Sequence, residues 1–255
     1  VRCWRCGLKA PETAEVCPHC AARLKQVGEA VSKNLPGAQR SDAIKVLMWS
    51  YALLLATTIA LAFSIELTLG DEDFSEEKVR AQALYQMLVV GFVDIVIVCS
   101  ALALGYRTIK HLSTEAAHRA LAWIVFTVML PLLLLLNFAY HWLLREVLQI
   151  PLLEDELTAT LDWLVFLVYC IEPAVVEELY CRGFVLGVLL SVLGRHWAIW
   201  ISSIMFGLLH VGAPLSIPYL TLVGVFLGYA RIYSGGLALP VLLHFVHNLI
   251  VLLWD

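Results

Sequence analysis

Glu177-Glu178-Leu179-Tyr180-Cys181-Arg182 sets two carboxylates and a guanidinium inside one of the most apolar parts of the chain. Ionised side chains at membrane depth cost several kcal/mol, from roughly 3 to above 10 by different measures, unless they are paired or hydrated, so they are kept where they have a task. The surrounding sequence supplies the membrane. Of 255 residues, 61% are hydrophobic and 15% charged, and the mean hydropathy is +0.83; an average soluble domain is roughly 45–50% apolar. These values predict an all-α polytopic membrane protein, a bundle of about seven to eight transmembrane helices embedded in the lipid bilayer. The net charge of -4 is small, and no basic, aromatic-interleaved patch points to nucleic acid.

The apolar runs divide into spans at 44–65, 83–105, 120–143, 159–194, 197–211, 217–232 and 237–254, the first of them long enough to cross a hydrocarbon core of roughly 30 Å. The run at 159–194 is too long for one span and contains Pro173. Proline removes a backbone donor and disfavours helix in the residue before it, so a kink or break is expected there, with freed backbone groups sharing a polar pocket with the glutamates. Asp94 and Asn137 are single polar residues in apolar spans and read as interhelical hydrogen-bonding groups. Trp123, Trp142, Trp163 and Trp254 lie near span ends, where interfacial tryptophans collect, and Gly224-x-x-x-Gly228 permits close helix approach.

Basic residues favour the cytoplasmic side, which assigns the N-terminus and the loop at 106–119 to the inside and the acidic loops around residues 71 and 154 to the outside. Convergence of Glu177 and His210 requires the fourth and fifth spans to run antiparallel, leaving Arg195 and Arg231 at the end away from the site. Convergence is given more weight than these two arginines, and the site is expected in the cytoplasmic half. The plasma membrane of a bacterium is the expected location.

Before the spans, Cys3, Cys6, Cys17 and Cys20 form two Cys-x-x-Cys pairs separated by a short spacer. Four thiolates in this pattern suit a structural Zn²⁺, and Gly7 suits the turn after the first pair. Residues 1–22 therefore read as a zinc ribbon, and so few residues bury so little core that the metal supplies most of the folding free energy. Residues 23–42 read as a linker, leaving 43–255 as the transmembrane domain. His19 reads as an exposed bystander, and a protein partner is the expected target of the ribbon.

Within the apolar core, residues four apart share a helix face. Glu178 and Arg182 can therefore neutralise each other, while Glu177 projects elsewhere and needs a partner, for which His210 and His244 are candidates. His244 and Asn248 share a face of the last span and can aim two neutral donors at one point, as a tetrahedral oxyanion requires. His141, His196 and His247 read as packing residues. A desolvated glutamate near histidine can act as general base for attack of water on an amide. The motifs place no serine or cysteine nucleophile beside a base, and Cys181 has no nearby histidine in sequence. One carboxylate with two histidines also matches a catalytic zinc shell, so a metal stays open at this point, although none is required.

Glu-Glu-x-x-x-Arg at Glu177, Glu178 and Arg182, Phe-x-x-x-His at Phe206 and His210, and His-x-x-x-Asn at His244 and Asn248, in this order, resemble the CPBP family of glutamic intramembrane proteases. That family includes the CAAX-processing prenyl endopeptidases and the bacterial Abi proteins linked to bacteriocin maturation and self-immunity. The resemblance covers roughly residues 160–255. It implies that Glu177 activates a water, His210 holds and polarises it, His244 with Asn248 stabilises the oxyanion, and Glu178, Arg182 and Phe206 support the site. It further implies hydrolysis of a membrane-associated or lipidated, CAAX-like peptide. Cys181 departs from the family, which often has an aromatic residue there, and touches packing more than mechanism. The alternative is a non-catalytic membrane scaffold, immunity or regulatory factor that works through the ribbon. A transporter is disfavoured because no inverted repeat of the motif-bearing half is present.

Overall fold

The computed structural model describes residues 18–19, 37–69, 76–110, 119–149 and 163–254. The expected ribbon, the linker up to residue 36 and the acidic loops around 71 and 154 fall outside the described residues, apart from an exposed turn at Pro18 and His19. The protein is an all-α membrane protein. Seven helices follow in order among the described residues: α1 (Gly37–Leu69), α2 (Glu76–Lys110), α3 (Arg119–Trp142, continued by a π-turn at Leu143–Val147), α4 (163–190), α5 (Arg195–Leu208), α6 (Ile217–Ser234) and α7 (Ala238–Trp254).

Among the described residues, four segments are long and apolar enough to cross a membrane, at Gln39–Ser64, Met87–Gly105, Ala120–Val147 and Pro214–Ser234. Helix α4 carries Glu172, Glu177, Glu178 and Arg182, but its 28 positions reach about 42 Å at 1.5 Å each. Trp142, Trp163 and Trp254 stand exposed at helix ends.

The expected break at Pro173 does not occur. Helix α4 runs on through it as Trp163–Phe166, a π-segment Leu167–Ile171, Glu172–Glu178, a second π-segment Leu179–Val185, and Leu186–Leu190. The wider i→i+5 pattern accommodates the proline, which lacks the N–H that would bond the carbonyl four residues back. That carbonyl belongs to Tyr169, and it accepts a hydrogen bond from Asn248 Nδ2 at 3.1 Å. The polar sharing expected near Pro173 therefore takes place between helices.

Helices α5 and α6 lie close because glycines face side chains. A Cβ on Gly224 would meet Ser203 Cβ at 2.8 Å, and one on Gly228 would meet Ile199 Cγ2 at 2.9 Å. Helix α6 ends where Gly235 adopts φ 72°, a left-handed conformation that glycine takes without a Cβ penalty. Asp94 accepts from Thr57 Oγ1 at 2.9 Å, joining α2 to α1.

The helix directions settle how the basic residues are arranged. Ala43 and Leu47 near the start of α1 pack with Val185 and Val188 near the end of α4, whereas Ala62 lies beside Gly212. Ile232 near the end of α6 packs with Leu190 and Ala198. Phe126 on the first half of α3 meets Tyr233, while Tyr140 bonds the Leu215 carbonyl. Arg40, Arg119, Arg195 and Arg231 therefore share one end of the bundle. The antiparallel arrangement of α4 and α5 agrees with expectation, but Arg195 and Arg231 do not oppose the basic residues of the N-terminal half. The basic-inside preference thus gives one answer for the whole bundle, and it sets Glu177 and His210, about 20 Å of helix away from that end, in the other half.

The close α5–α6 contact predicts that Gly224→Val destabilises the protein by about 1–3 kcal/mol through overpacking. Thermal unfolding of the detergent-solubilised protein should show the lowered midpoint, while Gly236→Val, with nothing within 4 Å of its Cβ position, should leave it near wild type.

Candidate active site

Glu178 is 0% exposed and Arg182 3% exposed. One helical turn joins them: Arg182 Nη1 donates to Glu178 Oε1 at 2.6 Å. Arg182 Nη2 donates to the Gly224 carbonyl on α6 at 3.2 Å. The guanidinium also lies over the Phe206 ring, 4.4 Å from its centroid, a cation–π contact strengthened by desolvation. Phe206 is buried and meets both histidines edge to face, at centroid distances of 5.1 Å for His210 and 5.9 Å for His244.

His244 Nδ1 lies 2.9 Å from the same Glu178 oxygen. A carboxylate accepts, so Nδ1 carries the hydrogen, and Nε2 is left to face Glu177 Oε2 at 3.9 Å. His210 repeats this arrangement. Its Nδ1 donates to the Phe206 carbonyl at 3.1 Å, and its Nε2 faces Glu177 Oε1 at 4.0 Å. Glu177, itself 27% exposed, therefore stands between two imidazole nitrogens whose rings are fixed from behind. Neither distance is a hydrogen bond, and Glu177 Oε2 is buried without a hydrogen-bond partner among the described residues. Glu178 Oε2 is likewise buried without a partner among the described residues, so what sets Glu177 apart is that its oxygens face two imidazole nitrogens, which makes it the candidate reactive group.

This geometry revises the expectation that His244 and Asn248 present two neutral donors to one point. With Nδ1–H committed to Glu178, His244 donates from Nε2 only as an imidazolium. That form also balances the charge, since Glu177, Glu178 and Arg182 together carry one net negative charge. Asn248 uses one amide hydrogen on the Tyr169 carbonyl and has one more to offer.

The sequence reading left several partners unnamed. Ser50 Oγ and Tyr180 Oη are 2.8 Å apart, pinning α1 to α4 beside the charged turn. Glu172 stands with its carboxyl carbon 3.9 Å from where a Cβ of Gly91 would lie; an ionisable residue in an apolar run was its visible signal. His247, expected as packing, is buried but bonded on both ring nitrogens. His196 Nδ1 meets Tyr229 Oη at 2.6 Å, and His141 Nδ1 bonds the Asn137 carbonyl at 3.0 Å. Cys181 lies in the core cluster beside Tyr180. Cys3, Cys6, Cys17 and Cys20 lie outside the described residues. Among the described residues, no group of three histidine, cysteine or carboxylate side chains is placed to share a metal ion.

Residues 159–250 match the family model described as Type II CAAX prenyl endopeptidase Rce1-like. This segment contains Glu177, Glu178, Arg182, Phe206, His210, His244 and Asn248, and the matching family is one of proteases. The chain is also similar to a protein from Escherichia coli described as "Uncharacterized 24.3 kDa protein", with 43% identity over 75 residues, 27% of this chain. The match spans 33% of that relative's length. No solved structure matches the chain.

A buried charge left alone costs about 3–5 kcal/mol, whereas replacing both members of a pair by groups of similar volume is often neutral. Arg182→Met is therefore expected to lower stability by that order, and Glu178→Gln with Arg182→Met to recover most of it, because the amide oxygen introduced by Glu178→Gln can still accept from His244. Equal unfolding midpoints for the single and double variants in detergent would show that the pair is not coupled.

Proposed function

With residues 159–250 matching a family of CAAX-type endopeptidases, we propose that this protein is an intramembrane glutamic endopeptidase that hydrolyses a peptide bond in a membrane-associated or lipidated segment. The observation that carries the reading is the contrast between the two adjacent glutamates. Glu178 is tied through Oε1 to Arg182 and His244, its Oε2 having no partner among the described residues, while both Glu177 oxygens face imidazole nitrogens, at 4.0 and 3.9 Å, beyond hydrogen-bond distance. A purely structural network would neutralise both.

In this mechanism a water held between Glu177 and His210 attacks the peptide carbonyl carbon, and Glu177 takes its proton. The carbonyl electron pair moves to oxygen, where Asn248 Nδ2–H and the His244 Nε2–H of the imidazolium stabilise it, and Glu178 balances the imidazolium charge. When the carbon–nitrogen bond breaks, the electron pair leaves with nitrogen and the proton on Glu177 passes to the departing amine. The products are a carboxyl terminus and a free amine, with no covalent enzyme intermediate. Arg182 acts through Glu178, and Phe206 spaces the two histidines.

The basic end of the bundle is taken to face the cytoplasm, with the site in the opposite half. Cys3, Cys6, Cys17 and Cys20 are the proposed ligands of a structural Zn²⁺ on the cytoplasmic side, where the ribbon is free to recruit a protein partner.

A fluorogenic peptide carrying a prenylated cysteine, presented in detergent micelles, provides the assay. Glu177→Gln should lower kcat by at least about 1,000-fold, since it removes the base entirely, with an unchanged gel-filtration profile. A folded Glu177→Gln protein with full activity would sink the protease reading and leave the scaffold alternative. Membrane sidedness is tested in a cysteine-free background: Gly212→Cys should react with an impermeant maleimide added to intact cells and Arg195→Cys should not. The reverse pattern would place the site on the cytoplasmic side.

A further inference from the structure

His247 is 5% exposed and Tyr219 3% exposed, and both belong to a hydrogen-bonded chain that ends on Asn248. With His247 neutral, the chain has one consistent assignment. The Tyr169 carbonyl only accepts, so the Asn248 atom 3.1 Å from it is Nδ2. Asn248 Oδ1 then faces His247 Nδ1 at 3.0 Å, which must carry a hydrogen. In the neutral ring Nε2 is left as an acceptor, 2.7 Å from the Tyr219 hydroxyl. That hydroxyl has one hydrogen, so it donates to His247, and its 3.3 Å approach to the Leu133 carbonyl is the weaker contact. The Tyr219 and His247 rings lie nearly parallel, 25° apart, which restrains both.

An asparagine amide is nearly symmetric in shape but opposite in polarity at its two ends. If Asn248 turned over, Oδ1 would face both the Tyr169 carbonyl and a developing oxyanion, and would repel each. We propose that His247, backed by Tyr219, is a positioning residue that locks the Asn248 amide with its NH₂ toward the reacting carbonyl. The proposal rests on the hydrolytic reading of the site and adds two residues to it. His247 touches no reacting atom in this scheme; it acts through Asn248, much as partners behind metal ligands fix ligand orientation.

The test measures kcat and KM on the prenylated fluorogenic peptide for His247→Leu, His247→Asn, Tyr219→Phe, Asn248→Ala and the double variant His247→Leu with Asn248→Ala. His247→Leu should lower kcat by about 10–100-fold, the range for loss of an orienting partner, with KM within about twofold. His247→Asn should recover most of that loss, because its amide nitrogen stands where the imidazole Nδ1 does. Tyr219→Phe, which keeps the ring, should give a smaller loss in kcat. The double variant should be no slower than Asn248→Ala alone, as for residues acting as a unit. Losses that multiply in the double variant, an unchanged kcat in His247→Leu, or no rescue by asparagine would each overturn the proposal.

A second readout needs no substrate and covers variants that lose activity through poor folding. The chain has three asparagines, Asn34, Asn137 and Asn248, so ¹⁵N-asparagine labelling gives three side-chain amide pairs, and Asn248→Ala identifies one. Tyr219→Phe, the mildest change, should shift that pair and leave the others in place; an unshifted pair would overturn the proposal. Full activity in Glu177→Gln rejects the hydrolytic reading itself, whereas loss in Glu177→Gln with full kcat in His247→Leu rejects only the role of His247.

Discussion

A single carboxylate oxygen, Glu178 Oε1, accepts from Arg182 on its own helix and from His244 on α7. Much of the site's geometry follows from it. The oxygen fixes the guanidinium, which then reaches the Gly224 carbonyl on α6 and covers Phe206 on α5. It also fixes which nitrogen of His244 carries hydrogen, and so which one faces Glu177. Four helices are thereby registered around one fully buried charge, and moving α7 would remove one of its two donors. A buried ion pair is weak evidence for stability, because desolvation offsets attraction. Its effect here is on geometry.

Two adjacent glutamates thus acquire different chemistry from their environments. Glu178 Oε1 has two donors assigned by the fold, whereas the Glu177 oxygens face only two histidine nitrogens, at 3.9 and 4.0 Å. Each histidine is held from behind, His210 by the Phe206 carbonyl and His244 by Glu178. Such preorganisation costs nothing at the moment of reaction and counts for more where water is excluded. The same design extends to Asn248, held through His247 and Tyr219 on one side and the Tyr169 carbonyl on the other.

Much of this was legible in the sequence because membranes punish charge. Glu177, Glu178 and Arg182 stand out against apolar neighbours, their i, i+4 spacing names the pair, and the apolar runs give the helix order. What was hidden depends on relations between helices. Pro173 signals a missing donor, but not that a π-segment absorbs it or that Asn248 serves the orphaned carbonyl. His247 resembles any other packed histidine until Tyr219, 28 positions earlier, is known to meet it. The neutral-donor expectation for His244 failed because spacing reveals a shared face, not which ring nitrogen an acceptor from another helix has claimed. That Arg195 and Arg231 share an end of the bundle with Arg40 was hidden for a related reason, since their side follows only from the direction of each helix.

The central claim is that Glu177 directs water onto a peptide carbonyl, and single-turnover cleavage of the prenylated peptide in ¹⁸O-enriched water tests it most directly. The account predicts one ¹⁸O atom in the new carboxyl terminus of the peptide and none in the Glu177 side chain. Label in Glu177, an unlabelled product, or the absence of any cleavage by the folded protein would contradict it.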